Sequence, residues 1–284
     1  MQQLTEEQRQ QWAVDGYLRL EGVLSEAEVM RYRQELDRIR PLPGWEPAKI
    51  EGLPIGHYEW LEGARDADTE GFMDRRDLLE YGPGFMDLID FPPVFDLIVD
   101  IMGPNILLSM TQAIVRPSTE KFPGYIHTDG GEALREVRVS ETSRPLALKA
   151  LYLLSDVVGT DAGAFTVFPG SHLRPFPSRV DPPLSPKSPG AVQLPGRAGD
   201  CYLFSHSLWH GPSANLSGRA RKTLLYNYCQ LFLRSYDHHD VSPAAGNGTA
   251  RQRRLLGDLG YDFRPGSYFY VPVDQQQVMT NDPG

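Results

Sequence analysis

Four residues of the 284-residue chain have the types and spacing to do chemistry together: His127, Asp129, His210 and Arg221. His127 and Asp129 stand two apart in the run Tyr125 to Gly131, so on an extended backbone both side chains project from one face before a glycine pair turns the chain. An apolar run from Cys201 to Phe204 reads as a buried strand, a turn and a second strand follow, and Gly211-Pro212 breaks the chain directly after His210, which places it at a strand end. Two histidines and one carboxylate hold one face of a divalent transition metal and leave its other positions open to substrate and dioxygen. Each piece alone has a plainer reading: a His-x-Asp at a strand end is more often a solvated turn, and His210 by itself is no more specific. Arg221 shifts the balance. It lies 11 residues beyond His210, at the head of the strand-like run Lys222 to Leu233, and its planar fork of donors grips a carboxylate bidentately.

With these parts in this order, the chain resembles the phytanoyl-CoA dioxygenase (PhyH-like) family of Fe(II)- and 2-oxoglutarate-dependent oxygenases. Phe168-Pro169-Gly170-Ser171-His172 is similar to that family's IPGSH turn, Asp161-Ala162-Gly163-Ala164 to the xNGA approach to it, and Ala198-Gly199-Asp200 to the PGD lead into the strand before the second histidine. The resemblance spans about residues 10 to 235. It implies Fe(II) on His127, Asp129 and His210, with 2-oxoglutarate on the two neighbouring metal positions, its distal carboxylate on Arg221, and O2 on the remaining position. It further implies oxidative decarboxylation to succinate and CO2 coupled to attack on a substrate C–H bond, most simply hydroxylation. Related halogenases lack the carboxylate that Asp129 supplies, so its presence disfavours halogenation. Two departures stand out: Ala198 replaces the usual Pro, and Pro212 takes the place, two after His210, where relatives often carry a Ser that helps bind 2-oxoglutarate.

Further contacts are suggested by patterning. Gln112 and Arg116 are four apart on one strand and share a face; in the hydroxylases that the chain resembles such polar positions often meet substrate or cosubstrate, which implies Gln112 as a candidate for substrate and Arg116 for 2-oxoglutarate. Lys149 interrupts the apolar strand Leu146 to Leu154. Pointing outward to solvent is its expected orientation; pointing inward, it would join Arg116 as a cofactor contact. Trp209, next to a ligand on a strand, faces the other way and is expected in the core. Two other classes remain open: a zinc hydrolase with two histidines and one aspartate would use the same three ligands, and a noncatalytic ligand-binding barrel would keep the pocket without turnover. The hydrolase has no need of an arginine at the position of Arg221.

These residues must be held by a scaffold, and its type is readable. From Asn105 the chain offers eight strand-like segments with Gly or Pro punctuation: Ile106 to Val115, Tyr125 to Asp129, Leu146 to Leu154, Ala164 to Phe168, Ala191 to Leu194, Asp200 to Phe204, Ser207 to His210 and Lys222 to Leu233. That suits a mainly β chain with flanking helices, closed as an antiparallel jelly-roll barrel. The resemblance implies the double-stranded β-helix, cupin-like form of it. One domain over 1–284 is expected, with a helical buttress over about 1–104, the barrel over about 105–235 and a C-terminal cover over about 236–284. Helices are predicted over about 5–15, from a capping Thr5, over about 25–40, from the capping-box pattern Ser25 to Glu28, and over about 85–102, broken near Pro92-Pro93. Pro41 to Gly82 and Glu132 to Arg144 lack a core-facing period and read as loops that cover the site and set specificity. Tyr261 to Val273 reads as further cover, and His238-His239-Asp240 as a polar loop rather than a second metal site.

Composition bounds the partners. A net charge of −9 and a pI near 5.3 exclude the basic footprint that nucleic acid or an anionic membrane requires, and no dense basic patch suits the phosphates of a coenzyme A thioester. A small-molecule substrate is expected. Only two cysteines occur, both in apolar runs, the N-terminus lacks a signal-peptide pattern, and no run of about eighteen apolar residues exists. A cytoplasmic, reducing location follows, which suits ferrous iron.

Overall fold

The alternation of side chains along the strands sorts the chain into a helix-covered face and a site-lining face. The structure, a computed structural model, describes residues 3–42, 71–130, 137, 140, 142–177, 181–238, 240–260 and 272–280. Its larger sheet has the order β1 (Tyr17–Leu20), β7 (Cys201–Ser205), β4 (Ala147–Leu153), β9 (Arg221–Gln230), β3 (Ile106–Arg116), β2 (Met73–Arg76), all antiparallel. A smaller sheet joins β6 (Val192–Leu194), β5 (Phe165–Val167) and β8 (His210–Pro212). The two make the jelly roll expected from the sequence.

Residues directly opposite across paired strands share a face. One such row runs Ala113, Leu224, Tyr152, Cys201, Leu20, and it is buried with Val29, Tyr32, Leu36 and Ile39 of α2 (Glu26–Ile39) and Phe95, Ile98 and Val99 of α3 (Pro92–Met102). Each large apolar side chain buried there contributes about 1.5–3 kcal/mol. Two tyrosines on this face donate to backbone carbonyls, Tyr226 to that of Phe85 at 2.6 Å and Tyr228 to that of Ile89 at 2.9 Å, while the buried Tyr152 hydroxyl has no partner among the described residues. The opposite face carries Leu151, Tyr202 and Leu225, which pack against Phe165 and Val167 of the smaller sheet. It also carries the polar residues of the site.

The helices begin where local chemistry starts them. Thr5 and Gln8 form a capping box at α1 (Glu6–Asp15), Gly16 ends that helix with φ 79°, and Ser25 and Glu28 cap α2 in the same way. Pro92-Pro93 opens α3 rather than breaking a longer helix, since a proline at the first turn sacrifices no intrahelical bond. Two shorter helices, α4 (Ala250–Leu255) and α5 (Val273–Thr280), follow the barrel. Among the described residues no helix is long and apolar enough to cross a membrane, and Cys201 and Cys229 are buried and unbridged.

Three expectations need correction. Met73–Arg76 is a strand, not part of a loop; its charged sequence has no apolar signal, and the pairing with β3 supplies what the local sequence lacks. Tyr125 to Asp129 forms a single bridge, at His127, and turns at Asp129, and the second-histidine strand begins at His210 instead of ending there. The greater parts of Pro41 to Gly82, Glu132 to Arg144 and Tyr261 to Val273, with His239, lie outside the described residues.

At the edge of β3, past the end of β2, a buried carboxyl, Asp77, and a half-buried one, Asp237, come near each other. Asp237 accepts from the Thr111 backbone N–H at 2.7 Å and from its hydroxyl at 3.2 Å, while Asp77 sits 6% exposed in a left-handed turn. Burial, then Asp237 and Glu80, push Asp77 up to about 7, and burial pushes Asp237 up to about 7 despite the bonds from Thr111. A carboxyl raised in the folded state holds its proton more tightly there, so stability falls as pH rises from about 4 to 7. Asn tolerates the same backbone conformation without the charge. Asp77→Asn is expected to raise the unfolding free energy at pH 8 by about 1–2 kcal/mol in urea titrations, with the gain shrinking toward pH 4.

Candidate metal centre

Two backbone segments, 127–129 and 206–210, run antiparallel and set the three candidate ligands. His127 and His210 exchange both backbone hydrogen bonds at 2.8 Å, and the Asp129 N–H donates to the His206 carbonyl at 3.0 Å. A directly opposed pair has its side chains on one face, so the imidazoles meet, with ring centroids 4.4 Å apart. Asp129 Oδ1 lies 3.8 Å from Nε2 of each histidine, and one ligating atom from each of the three residues falls within 4.8 Å of the others. The approach of the two segments depends on Gly211, where any side chain would overlap the Tyr125 carbonyl oxygen.

The ligands are aimed and tuned by their surroundings. The His210 Nδ1–H donates to the Leu208 carbonyl at 2.8 Å, which leaves the Nε2 lone pair facing the centre. Phe204 and Phe165 stand 4.6 and 5.8 Å from the His210 ring; burial lowers its pKa and keeps it neutral, the form that binds metal. Burial opposes the charge on Asp129, yet Lys149 and the two histidines hold its pKa well below the usual carboxylate range. Its Oδ2 has no hydrogen-bond partner among the described residues. Three neutral or anionic donors converging on one point, with an acceptor to spare, fit a divalent cation.

The expected orientation of Lys149 toward solvent is wrong: its ammonium lies 2.5 Å from Asp129 Oδ1. Strand alternation permits either face, and only the cross-strand register, with Asn227 and Phe204 opposite it, settles the choice. Trp209 is also misplaced by the sequence reading. It is half-buried at the surface under the Arg174 guanidinium and beside Phe168 and Phe176.

Beyond the triad, Arg221 and Arg116 are directly opposed on β9 and β3 and are 6% and 3% exposed. Arg221 donates to Thr223 Oγ1 at 3.1 Å, and Arg116 donates to the Phe122 carbonyl and, at 3.0 Å, to that of Pro123. Neither guanidinium has a carboxylate within ion-pair distance among the described residues, and both Nε atoms lack a partner there. Burial, then the charge of Arg116, push Arg221 down to about 9. Arg219, by contrast, is exposed, so Arg221 is the inward residue of this stretch. Gln112 does not reach freely into the pocket: its amide donates to both Asp74 carboxylate oxygens, at 2.8 and 2.9 Å.

Four residues at the site escape the sequence reading. Tyr125, two before His127 and so on its face, places its ring 5.2 Å from that imidazole and is influenced by both Arg116 and Arg221, bridging triad and arginine pair. His206 is fully buried behind Asp129 with its Nδ1 3.2 Å from the Ala147 carbonyl oxygen. Asn215, fully buried, donates to the carbonyls of Arg116 and Arg219 and ties the arginine-bearing strands together. Asn227 lies directly opposite Lys149. Position relative to His127 is a signal for Tyr125; the other three have none.

Comparison with known proteins places this geometry. "Uncharacterized protein Rv1501" of Mycobacterium tuberculosis is 24% identical over 92% of this chain and 89% of its own length, and "Dioxygenase FUM3" of Gibberella moniliformis is 23% identical over 87% and 80%. Among solved structures, HygX from Streptomyces hygroscopicus with nickel and 2-oxoglutarate bound superposes with TM-score 0.62 at 22% identity, covering 81% of this chain and 88% of that one. SnoK, a non-heme alpha ketoglutarate dependent carbocyclase from nogalamycin biosynthesis, gives 0.57 at 20% identity over 80% and 85%. These likenesses are of fold. Residues 12–223, which carry all three candidate ligands and Arg221, match the family description "Phytanoyl-CoA dioxygenase (PhyH)", and the chain belongs to that family.

Proposed function

We propose that the chain is one oxygenase domain, an Fe(II)- and 2-oxoglutarate-dependent dioxygenase that hydroxylates a C–H bond of a small-molecule substrate, with succinate and CO2 as coproducts. The observation that carries the reading is the buried Arg221–Arg116 pair, which has no carboxylate partner among the described residues, next to a His-Asp-His cluster. Two desolvated guanidiniums facing each other are costly unless an anion joins them, and a dicarboxylate reaching from the metal would do so. A zinc hydrolase has no use for such a pair. Iron, when bound with 2-oxoglutarate and O2, would supply the oxidising chemistry.

The chain's own residues then have distinct tasks. His127, Asp129 and His210 would hold the metal on one side. Arg221 would take the distal carboxylate, with Thr223 fixing its guanidinium and Arg116 adding a second positive charge. Phe165 and Phe204 keep water from the second histidine, and Asp74 with Gln112 present polar groups on the same face to a substrate. HygX has been solved with hygromycin B bound, and the epimerase SnoN from nogalamycin biosynthesis in complex with nogalamycin RO, and with these ligands in those proteins a polar small molecule is the substrate class favoured here. Two buried free thiols suit a reducing, cytoplasmic compartment.

The wild-type chain is expected to bind one Fe(II) and consume 2-oxoglutarate, and His127→Ala and His210→Ala to lose the metal in elemental analysis after desalting. Full metal occupancy in either variant would refute the ligand assignment. Arg221→Ala is expected to weaken 2-oxoglutarate binding more than about tenfold, measured by calorimetry with the metal retained, and Arg221→Lys to fall between. A loss on Arg219→Ala in place of Arg221→Ala would overturn the role given to Arg221.

A further inference from the structure

Lys149 sits at mid-strand in β4, directly opposite Asn227 of β9. Its Nζ is 2.5 Å from Asp129 Oδ1, the oxygen that also lies 3.8 Å from Nε2 of both histidines. Oδ1 is the Asp129 oxygen that the structure sets 3.8 Å from both imidazole nitrogens, so a cation shared by the three ligands would take it. An ammonium and a divalent ion cannot both sit there at ease, because like charges about 4 Å apart in a site of low dielectric repel strongly. Across the strand pair, the Asn227 amide oxygen is buried and has no hydrogen-bond partner among the described residues. A directly opposed residue on the same face is within reach of a four-carbon stem.

We propose that Lys149 is a positioning residue with two stations: on Asp129 Oδ1 it neutralises the triad before metal arrives, and metal loading transfers its ammonium to Asn227 Oδ1. The proposal rests on the reading of the triad as a metal site. Asp129 Oδ2 is the competing destination, but there the ammonium would remain one carboxylate width away, still beside the ion. On Asn227 the charge is moved off the ligand, and a buried acceptor gains the donor it lacks. Metal affinity is thereby linked to a residue pair that does not ligate the metal.

A double-mutant cycle tests this by calorimetric titration of Ni(II), a redox-stable probe, into the full chain without 2-oxoglutarate. Lys149→Met is expected to tighten Ni(II) binding about tenfold and to lower the melting temperature of the metal-free protein, since Asp129 loses its counter-charge. Asn227→Leu is expected to weaken binding about three- to tenfold, and that loss should vanish in the Lys149→Met background. Lys149→Gln should repeat the sign of Lys149→Met, and Asn227→Val that of Asn227→Leu, which guards against a packing defect in either; circular dichroism checks each fold. Weaker binding in both Lys149 variants overturns the proposal. So does a silent Asn227→Leu, the result expected if the ammonium moves to Oδ2, or a loss that persists in the Lys149→Met background. Ni(II) binding that is abolished by His127→Ala but shows no Lys149–Asn227 coupling refutes this proposal alone, whereas a wild-type chain that binds no Ni(II) refutes the metal-site reading and the proposal with it.

Discussion

The reciprocal hydrogen bonds between His127 and His210 are the constraint on which the rest of the site depends. They make two residues 83 positions apart direct cross-strand neighbours, and Asp129, bonded to the His206 carbonyl, is held in the same register. A slip of one residue in either segment would send one imidazole to the opposite face. Several features outside the site guard that register. Gly211 permits the close approach to Tyr125, and the turn at Phe168 to His172 is bonded to the segment from both sides: the Phe168 N–H donates to the Trp209 carbonyl, and the Trp209 N–H donates to Ser171 Oγ. The same turn reaches α1, where the Gly170 N–H donates to the Asp15 carbonyl. Asp200, which accepts from Gly22, Arg19 and Arg197, ties the start of β7 to the end of β1.

The two faces of the larger sheet have different energetic roles. The helix-covered face supplies burial, and Tyr226 and Tyr228 on it donate their hydroxyls to backbone carbonyls. The opposite face spends part of that stability on buried charge. Asp129 is offset by Lys149, while Arg116 and Arg221 are offset by no carboxylate among the described residues. Unsatisfied buried groups of this kind persist where a ligand completes them. The polar residues thus divide into a part whose charges offset one another and a pair of guanidiniums with no carboxylate partner among the described residues.

Much of this was open to the sequence alone. Helix starts followed from Thr5 and Ser25, because a cap is a local device read from a few adjacent residues. The candidate ligands and Arg221 were found from residue type, spacing and the glycine that follows each motif, and the strands β3, β4, β7 and β9 from apolar runs. The sequence also specified that His127 and Asp129 share a face, since alternation along an extended segment is a property of the backbone itself.

Only the tertiary structure decided the rest. The strand Met73–Arg76 is charged and short, and exists because β3 offers it an edge. Lys149 turns inward because its register sets it beside Asn227 and above Asp129, a choice that alternation leaves open until the neighbouring strands are in place. Trp209 lies under Arg174 at the surface, just before the strand that begins at His210. Arg116 meets Arg221 across 105 residues, and Asn215 holds both strands through backbone carbonyls that no side-chain pattern reveals. Local chemistry is written in neighbouring residues and was readable there; the charge balance of the site comes from pairings between distant strands, which exist only once the sheet has formed.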